Sequence, residues 1–162
     1  MPLGSGELLA LAGMMGSGKS TVARHLGRLL GRPVVALDAR IAARAGKPIP
    51  AIFAEEGEPA FRALERLEVA SLHGPLVADL GGGAFCSHAN AEHLLSVGRV
   101  VFLDVSAAEA ARRIGAGDGR PLAATWGPLL ARRRSLYQRA HLRVEVDGLT
   151  AEAVAQRILG LL

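Results

Sequence analysis

The sequence has little cysteine, few aromatic residues and no long apolar run. Cys86 is the one cysteine, which excludes an intramolecular disulfide and agrees with a reducing cytoplasm. One Trp, one Tyr and four Phe are too few to alternate with basic residues as they do in nucleic-acid-binding surfaces. No apolar stretch reaches the roughly 18–20 residues of a membrane span, and MPLGSGELLALAG lacks the features of a signal peptide. We therefore expect a cytoplasmic protein that binds neither nucleic acid nor membranes.

Lysine is scarce as well, and the positive charge is unevenly distributed. Of the 19 basic residues, only Lys19 and Lys47 are lysines. Residues 110–143 contain eight arginines and one acidic residue, a charge of +7 against +4 for the whole chain. Because the patterns of nucleic-acid-binding proteins are missing, small anionic ligands explain this segment better than nucleic acid does.

Short apolar segments alternate with amphipathic ones along the chain. The apolar segments predict strands at 7–12, 34–37, 75–80, 99–105 and 142–146. The amphipathic segments predict helices at 19–30, 38–46, 50–56, 58–73, 88–97, 107–114, 126–141 and 150–161, with Ser106 and Thr150 as N-caps. This alternation, with no linker, predicts a single α/β domain (1–162) of three layers, in which helices cover both faces of a parallel sheet.

The segment GMMGSGKS (13–20) has the pattern G-x-x-x-x-G-K-[ST] of a nucleotide-binding P-loop. Its glycines let backbone N–H groups surround phosphate oxygens. Lys19 would reach the β- and γ-phosphates, and Ser20 would bind Mg²⁺. A glycine-rich turn with incidental Lys and Ser is the alternative, and the position between a predicted strand and a predicted helix argues against it. We expect ATP or GTP to bind here.

Further segments of the chain resemble the shikimate kinase family of P-loop, nucleoside-monophosphate-kinase-like small-molecule kinases. The most specific is an Asp and a Gly eight residues apart, followed by I-x-x-I-F-x-x-x-G-E-x-x-F-R-x-x-E. Here this series comprises Asp38, Gly46, Ile49, Ile52, Phe53, Gly57, Glu58, Phe61, Arg62 and Glu65. The other matching segments are GMMGSGKST (13–21), LGGGA (80–84), GRPL (119–122) and RRRSLYQRA (132–140).

The resemblance implies a three-layer P-loop kinase fold with a five-stranded parallel sheet in the order 2-3-1-4-5. It also implies a substrate-binding helical region at about 38–66 and a lid at about 115–124. The implied reaction is phosphorylation of the shikimate 3-hydroxyl by ATP, with Mg²⁺ as cofactor, which gives shikimate 3-phosphate and ADP for aromatic amino-acid biosynthesis. ATP and shikimate are the expected partners, and a monomer is the expected state.

The family's roles, carried over position by position, also imply a set of site residues. Lys19, Asp38 and Arg120 are the expected catalytic residues, with Asp38 beside the attacking hydroxyl and Arg120 reaching the phosphates from the lid. Arg62 and Arg133 are expected to bind the shikimate carboxylate. The remaining expected contacts are Gly16, Ser17, Gly18, Ser20, Thr21 and Arg113 for ATP, Ser20 for the metal, and Phe53, Phe61, Glu65, Gly81, Gly82 and Gly83 for shikimate.

Taken one at a time, several of these residues have simpler interpretations. Asp38 alone would suit a helix N-cap, and Arg62 alone would suit an exposed ion pair with Glu58, four positions earlier. Gly81–Gly83 would suit a strand-ending turn, and at least two of the three arginines at 132–134 are expected to face solvent. The joint occurrence of these residues at the family's spacing favours the site, since arginine forks suit a carboxylate and a nearby carboxylate suits a hydroxyl nucleophile.

The chain departs from the family pattern at one chemically important position. The family carries two aspartates in a D-x-D pattern after the second strand, and here the first is Ala36 and the second is Asp38. Three interpretations stay open. In the first, Ser20, the ATP phosphates, water and Asp38 bind the metal. In the second, Asp79 substitutes for the missing carboxylate. In the third, the protein is a weakened or repurposed relative of the family. A gluconate-type sugar-acid kinase and a non-catalytic nucleotide-binding relative are the alternative functions.

Overall fold

The computed structural model describes residues 2–114 and 122–162, with the backbone alone for residues 122–125. Residues 115–121, which include Arg120 and most of the predicted lid, lie outside the described residues. In chain order the elements are β1 (Leu8–Ala12), α1 (Lys19–Leu30), β2 (Val34–Ala36), α2 (Leu37–Ala45), α3 (Ile49–Glu56), α4 (Glu58–Ala70), β3 (Val77–Asp79), a 3-10 helix (Ala84–Cys86), α5 (His88–Val97), β4 (Gly98–Asp104), α6 (Ala107–Ile114), α7 (Leu122–Tyr137), β5 (Leu142–Glu145) and α8 (Ala151–Leu161). Within these ranges, every helix is too short or too polar to cross a membrane.

The strands of the described residues form a five-stranded parallel sheet in the order β2-β3-β1-β4-β5. The predicted α/β fold and the strand order 2-3-1-4-5 are thereby confirmed. The central β1 is buried along its whole length, and β4 is buried apart from Arg99. The outer strands are short, with three residues in β2 and four in β5, which leaves little exposed edge for another chain to pair with.

Helices cover both faces of the sheet. On one face α1 packs beside α8, and on the other α5 packs against β4 and beside α4. The direction of the connections explains this arrangement. The connection from β1 to β2 runs toward one edge of the sheet, and the connection from β3 to β4 runs toward the other edge. Right-handed crossovers that run in opposite directions place their helices on opposite faces of the sheet. The reversal opens a crevice at the carboxyl ends of the strands, where the segments after β1, β2 and β3 meet.

Helix α1 follows the P-loop directly and has the predicted bounds. Gly18 before it and Gly31 after it both adopt the left-handed conformation, with φ of 88° and 64°, so a glycine marks each end. Between them Val22, Ala23 and Leu26 are buried. Because α1 runs antiparallel to β1, its positive N-terminal end faces the crevice.

Helix α7 differs from its predicted bounds. It begins at Leu122 instead of 126, so the predicted lid overlaps its first turn, and it ends at Tyr137 instead of 141. Leu and Ala are strong helix formers, and the Leu-Ala-Ala sequence at its start favours the longer helix. At the other end, Arg139 and Ala140 donate hydrogen bonds to carbonyl groups three residues earlier, which ends the helix and turns the chain into β5.

The two predicted helix caps are confirmed. Ser106 Oγ accepts a hydrogen bond from the Glu109 N–H at 3.2 Å, and Thr150 Oγ1 accepts one from the Ala153 N–H at 3.1 Å. The 3-10 helix Ala84–Cys86 was not predicted, because three residues are too few to show a helical period.

Gly98 supplies a test of the central strand pairing. It lies opposite Leu8 in the β1–β4 register, and a Cβ atom on it would overlap the Leu8 carbonyl oxygen. Neither strand can move away without breaking the sheet. We therefore expect Gly98→Ala to lower the free energy of unfolding by roughly 2 kcal/mol or more, measured by urea denaturation.

Gly160→Ala is the matched control, because nothing lies within 4 Å of a Cβ atom added at this position of α8. It should raise the free energy of unfolding by up to about 1 kcal/mol, as replacement of a helical glycine by alanine does. Equal unfolding midpoints for the Gly98 variant and the unaltered chain would contradict the proposed close approach of β1 and β4.

Candidate functional site

A cavity of about 500 Å³ opens at the carboxyl ends of β1, β2 and β3. Its volume is in the range of small-molecule sites. The P-loop and the start of α1 form one wall, and the residues that follow β2 and β3 form another. Of the predicted site residues, those that line this cavity are Gly16, Gly18, Lys19, Ser20, Asp38, Gly81, Gly82, Arg113 and Arg133.

The Lys19 ammonium lies inside the P-loop. Its Nζ donates hydrogen bonds to the carbonyl oxygens of Gly13 at 2.6 Å and Met14 at 3.2 Å. Burial lowers the pKa of Lys19 to about 8, and the carboxylates of Asp79 and Asp38 offset part of that effect. The chain thus holds a poorly solvated cation beside two acids, and an anionic ligand such as a phosphate would stabilise its charged form.

The P-loop has three glycines with positive φ, and the first of them, Gly13, has φ of 148°. Gly16 and Gly18 have φ of 84° and 88°, which other residues rarely adopt. The Ser17 hydroxyl between them is buried and has no hydrogen-bond partner in the described part of the chain. The Thr21 hydroxyl accepts a hydrogen bond from Arg24 at 3.3 Å. Ser20 lines the cavity, and Ser17 and Thr21 are not among its lining residues.

One face of α7 holds the P-loop in place. The Trp126 indole N–H donates to the Met15 carbonyl oxygen at 3.0 Å. The Tyr137 hydroxyl donates to the Gly82 carbonyl oxygen and lies 3.6 Å from the Met14 sulfur. Sequence reasoning missed Tyr137, although a position four residues after Arg133 on the same helix face was a usable signal.

The glycines Gly81–Gly83 form a floor beneath three predicted side chains. A Cβ atom on the first would lie 2.6 Å from Asp38 Oδ1, one on the second 3.1 Å from Arg133 Nη1, and one on the third 2.6 Å from Arg62 Nη1. Any larger residue at these positions would displace the charged group above it. The triple glycine is therefore required by close approach of side chains, which is more specific than a strand-ending turn.

Arg62 is oriented by its own helix, α4. Its Nη1 donates to both carboxylate oxygens of Glu65, at 2.9 and 3.1 Å, and its Nε lies 3.4 Å from Glu58. Glu65 is 1% exposed, and burial raises its pKa while the Arg62 charge offsets part of the rise. The guanidinium also lies over the Phe61 ring, which packs against the 39% exposed Phe53 with 4.7 Å between ring centroids.

A second pocket, of about 300 Å³, lies beside the main cavity, and Arg133 lines both. Arg62 and Arg133 both line it, together with Gly83, Cys86 and Ser87. Two guanidinium groups on one small pocket suit a carboxylate ligand, because each offers a planar fork of N–H donors. Cys86 and Ser87 were not predicted as part of this wall, and nothing in their spacing indicated it.

Two carboxylates face the main cavity. Asp38 lies in the first turn of α2, where Ala36 holds the cap position, so Asp38 does not act as the cap. Burial raises the pKa of Asp38, and the positive charges of Lys19 and Arg62 offset part of this. Burial raises the pKa of Asp79 as well, against the charge of Lys19. Asp79 was considered from the sequence as a substitute for the missing acid, and the structure places it on the cavity wall.

Arg113 ties the P-loop to the segment after β5. Its guanidinium donates to the carbonyl oxygens of Ser17 at 3.2 Å, Val146 at 3.1 Å and Leu149 at 3.3 Å, and to Glu109 at 3.0 Å. These hydrogen bonds hold the Arg113 guanidinium at the wall of the cavity.

The donor atoms of the cavity fit a magnesium ion that arrives with a nucleotide. The Ser20 hydroxyl and the carboxylates of Asp38 and Asp79 are the hard oxygen ligands that Mg²⁺ prefers. Among the described residues, no group of three or more His, Cys, Asp or Glu side chains could hold a metal ion. The protein would therefore hold Mg²⁺ together with phosphate oxygens and water, as is usual for this ion.

Comparisons with known proteins agree with this site. A family model described as shikimate kinase matches residues 15–162. The chain is 42% identical to a shikimate kinase of Limosilactobacillus fermentum and 38% identical to one of Rhodococcus jostii, with 94–95% of each chain covered in both alignments. It also matches the structure of shikimate kinase from Acinetobacter baumannii in complex with shikimate, with a TM-score of 0.85, 37% identity and coverage of 96% of this chain and 92% of the other. This chain is a member of the shikimate kinase family.

Proposed function

We propose that this chain transfers the γ-phosphoryl group of ATP to the 3-hydroxyl of shikimate, giving shikimate 3-phosphate and ADP. The observation that carries the proposal is the placement of two guanidinium groups, of Arg62 and Arg133, on one pocket beside a P-loop cavity. Asp38 lies between the two regions, next to Gly81. The site thus has a place for a carboxylate, a place for a triphosphate and an acid between them.

The arginines set the orientation of the acceptor. Arg62 is already held by Glu65, so little side-chain freedom is lost when a ligand binds. Arg133 extends from α7 over Gly82 toward the same pocket. The two forks would grip the shikimate carboxylate and leave the ring hydroxyls toward Asp38, with Phe53 and Phe61 on the apolar side and the N–H groups of Gly81–Gly83 below.

Asp38 is the proposed acceptor of the hydroxyl proton. Its raised pKa makes it a stronger base than an ordinary aspartate, while Lys19 and Arg62 favour its ionised form. The hydroxyl oxygen would bond to the γ-phosphorus as the bond from that phosphorus to the β–γ bridging oxygen breaks. The proton would pass to the Asp38 carboxylate, and ADP would leave with the bridging oxygen.

The P-loop side would stabilise the transferred charge. Loop N–H groups and the N-terminal end of α1 would surround the phosphates, and Lys19 would turn from its loop carbonyls toward them. Mg²⁺, with Ser20 as its protein ligand, would supply further positive charge at the β- and γ-phosphates. Arg113 is proposed near the adenine, and Arg120 is proposed to reach the phosphates from the lid.

The setting of this reaction is also part of the proposal. The single cysteine favours a reducing cytoplasm. The proposed state is a monomer that acts on small anionic ligands without nucleic acid or membrane.

A coupled ADP-release assay tests the proposed function. Purified protein with Mg²⁺ and ATP is supplied with shikimate, with gluconate or with no acceptor. We expect ADP release that depends on shikimate and exceeds both other conditions, because the two arginines match its rigid carboxylate. Release with gluconate alone would favour a sugar-acid kinase, and no acceptor-dependent release would favour a non-catalytic relative.

Arg62→Ala tests the carboxylate site. Loss of hydrogen bonds to a charged group should raise the shikimate KM by roughly 10- to 100-fold, while the KM for ATP changes little because Arg62 does not line the P-loop cavity. Steady-state kinetics with each substrate varied in turn measures both constants.

Arg66→Ala is the control for this variant, because Arg66 lies one turn further along α4 and is exposed. It should leave both KM values unchanged. Gly83→Ala gives an independent check, since its methyl group would meet the Arg62 guanidinium at 2.6 Å and should raise the shikimate KM as well. Equal changes in both KM values would argue against the role of Arg62.

The pH dependence of nucleotide binding tests the environment of Lys19. In the empty site its pKa is about 8, so above this pH the free protein holds a neutral amine. The triphosphate should bind the charged form, and affinity should therefore fall by up to about tenfold per pH unit above about pH 8. Titration calorimetry with a non-hydrolysable ATP analogue from pH 7 to 9.5 measures this.

Lys19→Arg is the control, because a guanidinium stays protonated over this range. Its affinity should be weaker but nearly independent of pH. Lys19 also affects the folding of the empty protein, because its pKa is about 8 in the folded chain and 10.5 in the unfolded chain. Between these two pH values the unfolded chain binds more protons, so the free energy of unfolding rises with pH. Parallel binding profiles for the two proteins would contradict the lowered pKa.

A further inference from the structure

The acid that the D-x-D pattern would place at Ala36 has a counterpart on the neighbouring strand. Ala36 ends β2 and Asp79 ends β3, and the two residues are partners in the parallel register. Register partners extend from the same face of a sheet, and neighbouring strands lie about 4.8 Å apart. A carboxylate that is missing at position 36 is therefore present one strand away, at the same edge of the sheet.

The position on β3 is closer to the P-loop than the position on β2. In the sheet order β3 lies between β2 and β1, and Asp79 is also the register partner of Leu11, two residues before Gly13. Asp79 and Ser20 line the same cavity. The charge of Asp79 acts on Lys19 more strongly than any other acid does among the described residues, which agrees with this placement.

Asp38 and Asp79 both lie near Lys19, and of the two only Asp38 also lies close to Arg62. Asp38 rests over Gly81, and its charged neighbours include Arg62 on the substrate side. The charged neighbours of Asp79 are Lys19 and Asp38. Within residues 2–114 and 126–162, the Asp79 carboxylate accepts no hydrogen bond and forms no ion pair within 4 Å. Its oxygens are therefore available to a ligand that binds beside the P-loop.

We infer that Asp79 supplies the carboxylate that supports Mg²⁺ in this chain, in place of the aspartate that the family pattern carries at position 36. The inference rests on the proposed Mg²⁺- and ATP-dependent reaction. A carboxylate is a hard oxygen ligand suited to Mg²⁺ or to its bound water, whereas the methyl group of Ala36 has no donor atom. Acids at both 36 and 79 would place like charges on adjacent strands, which is unfavourable.

The test measures metal binding and does not depend on turnover. Mn²⁺, which shares the preference of Mg²⁺ for oxygen ligands, is titrated into protein saturated with a non-hydrolysable ATP analogue. Free Mn²⁺ is followed by electron paramagnetic resonance. Asp79→Asn removes the charge and keeps the size, and we expect it to weaken Mn²⁺ binding by about tenfold or more. Circular dichroism shows whether the variant folds, and its affinity for the analogue without metal is measured separately, because loss of the Asp79 charge also acts on Lys19.

Matched variants return a carboxylate to position 36. Ala36→Asp in the Asp79→Asn background should restore most of the Mn²⁺ affinity, and Ala36→Asn in the same background should not. If Asp79→Asn fails to fold by circular dichroism, Asp79→Ser takes its place in the same comparison. Unchanged Mn²⁺ affinity after loss of the acid overturns the inference, and so does equal restoration by Ala36→Asn and Ala36→Asp.

This outcome is separate from that of the proposed function, because the Mn²⁺ titration contains no acceptor. If shikimate fails to promote ADP release while Asp79→Asn still weakens Mn²⁺ binding, the acceptor is wrong and the role of Asp79 stands. If shikimate promotes ADP release and Asp79→Asn binds Mn²⁺ normally, the proposed function stands and the role of Asp79 is overturned.

Discussion

A partly desolvated ammonium at the end of β1 is the constraint on which the rest of the site depends. Removing the charge of Lys19 from water costs free energy, and two loop carbonyl groups together with Asp79 and Asp38 offset only part of that cost. The acids come from the ends of β3, which lies beside β1, and of β2, which lies one strand further out. The electrostatic balance of the P-loop is therefore a property of the parallel sheet as much as of the loop.

A second constraint joins the nucleotide side of the site to the acceptor side. Helix α7 carries Arg133 toward the acceptor pocket, and from the same face Trp126 and Tyr137 contact the P-loop and Gly82. The glycine floor lies between the two regions and supports Asp38 and both arginines. Movement of α7 would change both sides together, so the geometry of the two ligand places is coupled by packing.

Much of the fold could be predicted from the chain, for reasons that particular elements make clear. The run LLALA in β1 is buried throughout, and helix α1 is bounded by two glycines, so local chemistry and final structure coincide there. The start of α7 was predicted four residues too late, because the glycine-rich segment before Leu122 indicates a loop. The helix-forming residues Leu122, Ala123 and Ala124 directly after that segment were therefore assigned to the loop. The 3-10 helix was missed because its three residues are too few to show a periodic pattern.

The sequence by itself determined the order of strands and helices, the P-loop and the set of charged residues with their spacing. These are local properties, because hydrophobic period, glycine placement and short motifs act within a few residues. Only the tertiary structure decided which groups meet across the fold: Arg62 above Gly83, and Asp79 as the register partner of Ala36. Such pairings depend on strand register and on side-chain approach between distant segments, and no local pattern encodes a distance across the sheet.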